Sequence, residues 1–408
     1  LLRKLLSFQE AKRIIEFNFK PQFLGEEEAV LLEVPNRVLS VDITSPIDIP
    51  AFSTSKIRGY AVKAHDIVAA NEAFPFELKV VGCVGVGEEC KNKLRQGEAI
   101  EVVENAVLPE GADAVIAIED ADQEDDTLKV FSSVAMGEGV YHRGCDIKEG
   151  SIVLKKGQVL GSSEIGVLAA LGLKQVKVQK IPMIAVFSVG NEVNELSNPL
   201  APGKTYDLNA YSLSAAVMEC GAKPVYFGVV SNETEKLTRV LNAALSSSDL
   251  VIASGSESTL AEVLDGIAKP GLVVNGAALK PGKTLAAAFV EGKPVFCLPS
   301  NPSAALLMYQ LFARTLVQRL GGRPASSLKT IIAVAGAKMF GARGSRTFHL
   351  VKLEFDEKCR LIAQPVTVSG VSALVEADGF VEIAENEQLI EADSEVAVLL
   401  FKGLAGKT

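Results

Sequence analysis

The chain has 408 residues, 48% of them apolar, and its 41 Lys and Arg against 50 Asp and Glu leave a net charge of −9. This length predicts two to four domains, and the apolar share excludes global disorder. An acidic chain without a basic stripe argues against a nucleic-acid or anionic-membrane partner, so an anion can bind only where positive charge clusters locally.

The start, Leu1 to Leu6, is short and runs straight into a helix, so it is not read as a signal peptide. Ser7-Phe8-Gln9-Glu10 reads as a capping box, with Phe8, Ala11, Ile14 and Ile15 following at helical spacing. Residues 29–48 read as strand, turned at Pro35-Asn36. From 50 to 140 short β-rich runs at Leu78–Val84, Ala99–Val103, Ala114–Ile118 and Thr127–Phe131 predict a compact β domain. Ser162-Ser163-Glu164 predicts a helix start, Gly172 its stop, and a Val-rich strand runs to Val178.

From 182 to 322 strand and helix alternate. Strands are predicted at Met183–Val189, Pro224–Val230, Leu250–Ala253, Gly271–Asn275 and Pro294–Leu298. Helices are predicted from Asn209 to Gly221, over 233–247, 258–266 and 303–320. The alternation predicts a mostly parallel sheet with helices on both faces and a ligand beyond the carboxyl ends of its strands. After 328 strands return at Thr330–Ala335, Thr347–Phe355, Leu361–Pro365, Phe380–Ile383 and Glu395–Leu400, which predicts a small β-barrel or sandwich. No apolar run reaches the roughly 18 residues a membrane span needs. The six cysteines (Cys83, Cys90, Cys145, Cys220, Cys297 and Cys359) form no CxxC or Cys/His cluster and read as free thiols of a reducing compartment. The cytoplasm is the expected location.

Several segments carry candidate chemistry. Lys280 and Lys283 flank Pro281-Gly282, and two ammonium groups on a fixed turn suit an oxyanion; the alternative is a solvated turn. Ser188, Gly190, Ser254 and Gly255 follow parallel strands, where glycine lets backbone N–H groups approach a phosphate, or where they are plain connectors. Asp207 and Asn209 read as nucleotide contacts, or Asn209 as the cap of its helix. Pro299 and Asn301, in Pro299-Ser300-Asn301-Pro302, shape a pocket floor or merely start the next helix. His65, His142 and His349 pair with no nucleophile, and there is no GxGxxG or P-loop.

The segment Ile49–Val62 resembles the signature of the MoeA/gephyrin family, P-x-F-D-x-S-x-M-D-G-Y-A, through Pro50, Phe52, Ser55, Gly59, Tyr60 and Ala61. The resemblance runs on through Leu108–Val115, Arg143–Gly150, Ile165–Gly172, Ser188–Val193, Tyr206–Asn209, Leu279–Lys283, Leu298–Pro302, Ala377-Asp378-Gly379 and Val396–Leu400, in the family's order. It implies a multidomain α/β plus β architecture. A discontinuous linker domain covers 1–49 and 140–179, an inserted β domain 50–139, a MogA-like α/β molybdopterin-binding domain 180–326, and a small C-terminal β domain 327–408.

The resemblance also implies molybdenum cofactor biosynthesis: molybdate is inserted into adenylylated molybdopterin by a magnesium-dependent transferase, and AMP is released. The enzyme would be a homodimer whose site forms between the strand-helix domain of one subunit and the β domain of the other, served by a MogA-like adenylyltransferase. Asp146, Lys280 and Lys283 become the candidate catalytic residues, with Asp146 the carboxylate for a metal.

Four site positions differ from the family pattern. Arg58 and Asn191 stand for aspartates, Glu104 for a threonine, and Ala261 for the acid that ends the loop begun at Ser254. A further change puts Thr284 in place of a proline. A guanidinium about 4 Å from a divalent ion costs about 8 kcal/mol at an effective dielectric near 20. Either a metal is held elsewhere, by Asp146, Glu104 or Glu192, or Arg58 itself pairs with the pyrophosphate. The alternative reading is a catalytically impaired paralogue that binds molybdopterin or an oxyanion, or acts as a scaffold. A nucleotide-pyrophosphate hydrolase is a more remote one.

Overall fold

The computed structural model describes residues 5–401 apart from 256, 268, 270, 326, 368 and 369. The first residues of the predicted start, Leu1 to Lys4, and Ser256 of the loop after Ser254 therefore lie outside the described residues. The chain divides into two compact units, one of Ala29–Pro35 and Val41–Val176, the other of Leu1–Glu28, Asn36–Ser40 and Lys177–Thr408.

The first unit is built on a six-stranded sheet in the order Ala114–Ala117, Gly59–Val62, Glu98–Val102, Phe76–Val84, Thr127–Val130, Ala121–Glu124. Side chains alternate across a strand, so Tyr60 and Val62 enter one apolar cluster with Leu78 and Ile116, while Ala61 enters another with Ile100 and Val115. The helix after this sheet spans Ser162–Ala170. Its cap is Gly161, whose N–H donates to Glu164 at 2.9 Å, one residue before the serines read as its start. The strand expected over 29–48 reduces to Glu26–Val30, a 3-10 turn at Leu31–Glu33 and the pair Ile43–Thr44. Val30 and Leu32 are exposed, so no continuous apolar face exists there to hold a pleated strand.

The second unit opens with the helix Phe8–Asn18, and the capping box of Ser7 and Glu10 is present. Its main sheet runs Lys223–Val230, Met183–Val189, Leu250–Ser254, Lys293–Leu298, Ala286–Val290, Leu272–Asn275. The first four strands are parallel, Ala286–Val290 runs against them, and Leu272–Asn275 pairs antiparallel to Ala286–Val290 and so runs with the first four. Both faces are covered. Ile184, Val186, Leu250 and Ile252 pack with the helix Asn209–Glu219 on one side, and Ala185, Phe187, Val251 and Ala253 with the helix Thr234–Ser247 on the other. The strand Ala286–Val290 was not anticipated. The helix expected over 303–320 is interrupted: Pro302–Met308 and Arg314–Leu320 are joined by a π-turn at Tyr309–Ala313.

Five strands close a barrel: Arg346–Phe355, Leu361–Pro365, Thr330–Ala335, Glu395–Leu400 and Gly379–Ile383, which returns to the first. Leu279–Lys280 lies parallel to Arg346-Thr347 at its margin. Phe8 packs edge-on against Phe312 at 5.5 Å and Phe348 at 6.0 Å, so the first helix, the long helix and the barrel share one core. Among the described residues no helix is long and apolar enough to cross a membrane.

Candidate functional site

In a parallel sheet with reversing connections, side chains gather beyond the carboxyl ends of the strands. There Ser188, Asp207, Asn209, Ser254 and Gly255 line one cleft of about 220 Å³, together with Glu192, Tyr206, Ser300 and Pro302. Ser188 is the penultimate residue of the strand Met183–Val189 and Ser254 the last of Leu250–Ser254; their Cα positions are register partners.

Asp207 organises one wall. It is 1% exposed and accepts from Ser188 Oγ at 2.7 Å, from Tyr226 Oη at 3.0 Å and from the backbone N–H of Ala210 at 3.0 Å. A buried carboxylate with three donors is satisfied rather than stranded. Burial, and then the charge of Asp207, push the Tyr226 phenol well above its ordinary range, so it stays a donor.

The bond from Ala210 settles the helix start. The cap position is Leu208 and makes no side-chain bond; Asp207 supplies the acceptor, and Asn209 is already the first helical residue. Asn209 instead ties the other wall together, donating through Nδ2 to Ser254 Oγ at 2.8 Å and to the carbonyl of Ser300 at 2.8 Å. Ser254 Oγ in turn donates to the carbonyl of Pro299 at 2.8 Å. Asn301 accepts from Ala304 N at 3.0 Å and caps the helix Pro302–Met308.

The two glycines expected to cradle a phosphate have other bonds. The N–H of Gly190 donates to Val230 at 3.0 Å and that of Gly255 to Leu298 at 3.3 Å. Gly255 has φ +100°, and a Cβ there would overlap the carbonyl oxygen of Val189. Its role is to let two strand ends approach.

Lys280 and Lys283 are exposed and do not line this cleft. Their turn is closed by Leu285 N to Gly282 O at 3.2 Å and Ala277 N to Lys283 O at 3.2 Å. Asn191 is held by Asn232 N at 3.2 Å on its side-chain oxygen and by Lys204 on its carbonyl. Ala261 is half-buried in the helix Glu257–Ile267 against the apolar cluster beneath the sheet.

The remaining predicted residues belong to the other unit. Arg58 donates to Glu101 at 3.2 Å and is otherwise largely exposed. Glu104 and Asp146 are exposed. In the turn that carries Asp146, the organising carboxylate is Asp48, which accepts from Glu149 N at 2.8 Å and from Arg143 Nε at 2.6 Å. The backbone N–H of Glu149, then the Arg143 guanidinium, hold Asp48 below the ordinary carboxylate range. Sequence reading missed Asp48, Tyr226 and Glu101. None sits in a Gly-rich or strand-end motif, and only Glu101 could be paired on paper, as the register partner of Tyr60 next to Arg58.

Among the described residues no three His, Cys, Asp or Glu side chains come together as a metal site. Among the described residues, the donors around position 58, a guanidinium paired with Glu101, do not fit a divalent cation.

Three family models match in chain order: the MoeA N-terminal region (domain I and II) over residues 6–172, the probable molybdopterin binding domain over 185–319, and the MoeA C-terminal region (domain IV) over 333–401. The chain is 30% identical to a molybdopterin molybdenumtransferase of Nostoc sp., over 78% of this chain and 74% of that protein. It is 29% identical to one of Bacillus subtilis, over 97% and 93%. Among solved structures, the molybdopterin biosynthesis MoeA protein of Pyrococcus horikosii superposes with a TM-score of 0.89 at 36% identity, covering 98% of this chain and all of that one. The chain belongs to the MoeA family.

Proposed function

We infer that this chain acts in molybdenum cofactor biosynthesis as a transferase, with adenylylated molybdopterin and molybdate as substrates and AMP as the released product. The observation that carries this reading is the direction of the hydrogen bonds in the cleft. Ser188 Oγ gives its proton to Asp207 and Ser254 Oγ gives its own to Pro299, so both hydroxyls can only accept from a ligand. Both Asn209 Nδ2 bonds go to the protein. An acceptor wall suits the N–H and NH₂ edge of an aminopyrimidinone ring such as that of a pterin, and it disfavours a phosphate.

Positive charge for the anionic groups then comes from outside the cleft. Lys280 and Lys283 are the point charges for the oxyanion, and Arg58, rather than a metal held by Asp146, faces the pyrophosphate. The reading includes a homodimer in which Arg58 and the cleft come from different subunits, a MogA-like adenylyltransferase as supplier of the substrate, and the four-part domain division. The test is AMP release from adenylylated molybdopterin on adding molybdate.

One observation favours a second reading, a binding paralogue without turnover: Arg58 is already paired, with Glu101. In that case wild type binds molybdopterin without releasing AMP, and the double variant Arg58→Asp, Asn191→Asp gains release.

A further inference from the structure

The helix that begins at Pro302 serves two places at once. Its first residue, Pro302, with Ser300 before it, forms part of the cleft wall. Its last residue before the π-turn, Met308, is fully buried and lies under the lysine turn. Gly282 has φ +111°, and the Met308 thioether occupies the space a Cβ on Gly282 would need. The turn is also fixed at both ends. Lys280 pairs with Thr347 of the barrel, and the carbonyls of Gly282 and Lys283 accept from Leu285 and Ala277. The backbone of the turn is therefore held, and the height from which its two lysines start is set by what lies beneath Gly282.

We propose that Met308 is a positioning residue: its thioether sets the height of the Lys280–Lys283 turn, and the helix that carries it sets the same turn relative to the cleft wall. The π-turn belongs to this arrangement, because a one-residue expansion directly after Met308 changes the register of everything C-terminal to it without moving Met308 or the cleft. A flexible, unbranched thioether fills the irregular space beneath a glycine without strain. The proposal deepens the reading of the lysine turn as the oxyanion site and rests on it for its functional limb only.

The test uses the full chain with Met308→Ala, Met308→Leu and, as a control for plain destabilisation, Leu316→Ala, a residue of the same long helix that is 1% exposed. Sodium molybdate and neopterin are the probes, by calorimetry, and amide exchange is followed at Leu285 and Ala277. Met308→Ala is expected to speed exchange at both amides by at least tenfold and to weaken molybdate about tenfold, with neopterin affinity within twofold of wild type. Met308→Leu should restore both towards wild type, and Leu316→Ala should leave molybdate affinity unchanged, any faster exchange it causes extending across the whole core rather than to these two amides alone. Unchanged exchange in Met308→Ala, or equal loss of molybdate and neopterin, overturns the proposal. If wild type binds no molybdate, or binds it equally after Lys280→Ala and Lys283→Ala, the oxyanion reading fails, and the exchange data alone decide whether Met308 positions the turn.

Discussion

Removing the carboxylate of Asp207 is the sharpest perturbation of the cleft, because three donors converge on it. Oδ1 accepts from Ser188 Oγ and Ala210 N, and Oδ2 accepts from Tyr226 Oη. In Asp207→Ala all three donors lose their partner inside a site that is 1% exposed. Hydrogen bonds to a charged group are worth about 1.5–3 kcal/mol each, and the half-exposed tyrosine recovers its loss in water, so the two remaining bonds give an expected cost of about 3–6 kcal/mol. Asp207→Asn should behave differently. The amide oxygen keeps the two donors on the Oδ1 side, the NH₂ turns to Tyr226, and the phenol rotates to accept, leaving a cost of about 1–2 kcal/mol. The assay is urea unfolding followed by tyrosine fluorescence, which is clean because the chain has six tyrosines and no tryptophan. Tyr226→Phe should cost about 1 kcal/mol in wild type and nothing further in Asp207→Ala. If alanine and asparagine at 207 are equally destabilising, or alanine costs under about 1 kcal/mol, the bond directions assigned to this wall are wrong.

Gly255→Ala should destabilise by about 2–4 kcal/mol, from left-handed backbone strain plus the overlap with Val189, and should lower neopterin affinity more than molybdate affinity. Asp48 should titrate below its ordinary 3.8 in the folded chain, as followed by carboxyl NMR. Since its folded value is the lower one, its contribution to stability is fully present above pH 3.8 and is lost as pH falls through the folded value. Arg143→Ala should raise that value only part of the way, because the larger influence, the Glu149 N–H, remains. Phe348→Ala, in the core shared by the first helix and the barrel, should cost about 3–5 kcal/mol in unfolding experiments.

The sheet and barrel were legible as elements because their strands are apolar on one or both faces, whereas the order of the strands within them came only with the structure. Ala286–Val290 was not legible, since three alanines carry little strand preference and the hairpin turn is Glu291-Gly292 rather than an Asn-Gly. The cleft residues Ser188, Asp207, Asn209 and Ser254 stood in recognisable motifs, but their roles did not. Asp207 and Asn209 are both good caps and lie two apart, so only the position of Ala210 N separates a cap from a cross-link between loops. Gly190 and Gly255 looked like phosphate loops, whereas their N–H groups go to neighbouring strand ends. Tyr226 reaches Asp207 from the edge strand, a contact that no local pattern encodes.

The measurement that bears most directly on the central claim is AMP release from adenylylated molybdopterin on addition of molybdate, comparing wild type with the Lys280→Ala, Lys283→Ala double variant. The account predicts molybdate-dependent release by wild type and at least a tenfold loss in the double variant. Release no faster than in buffer, or release untouched by losing both lysines, would contradict it.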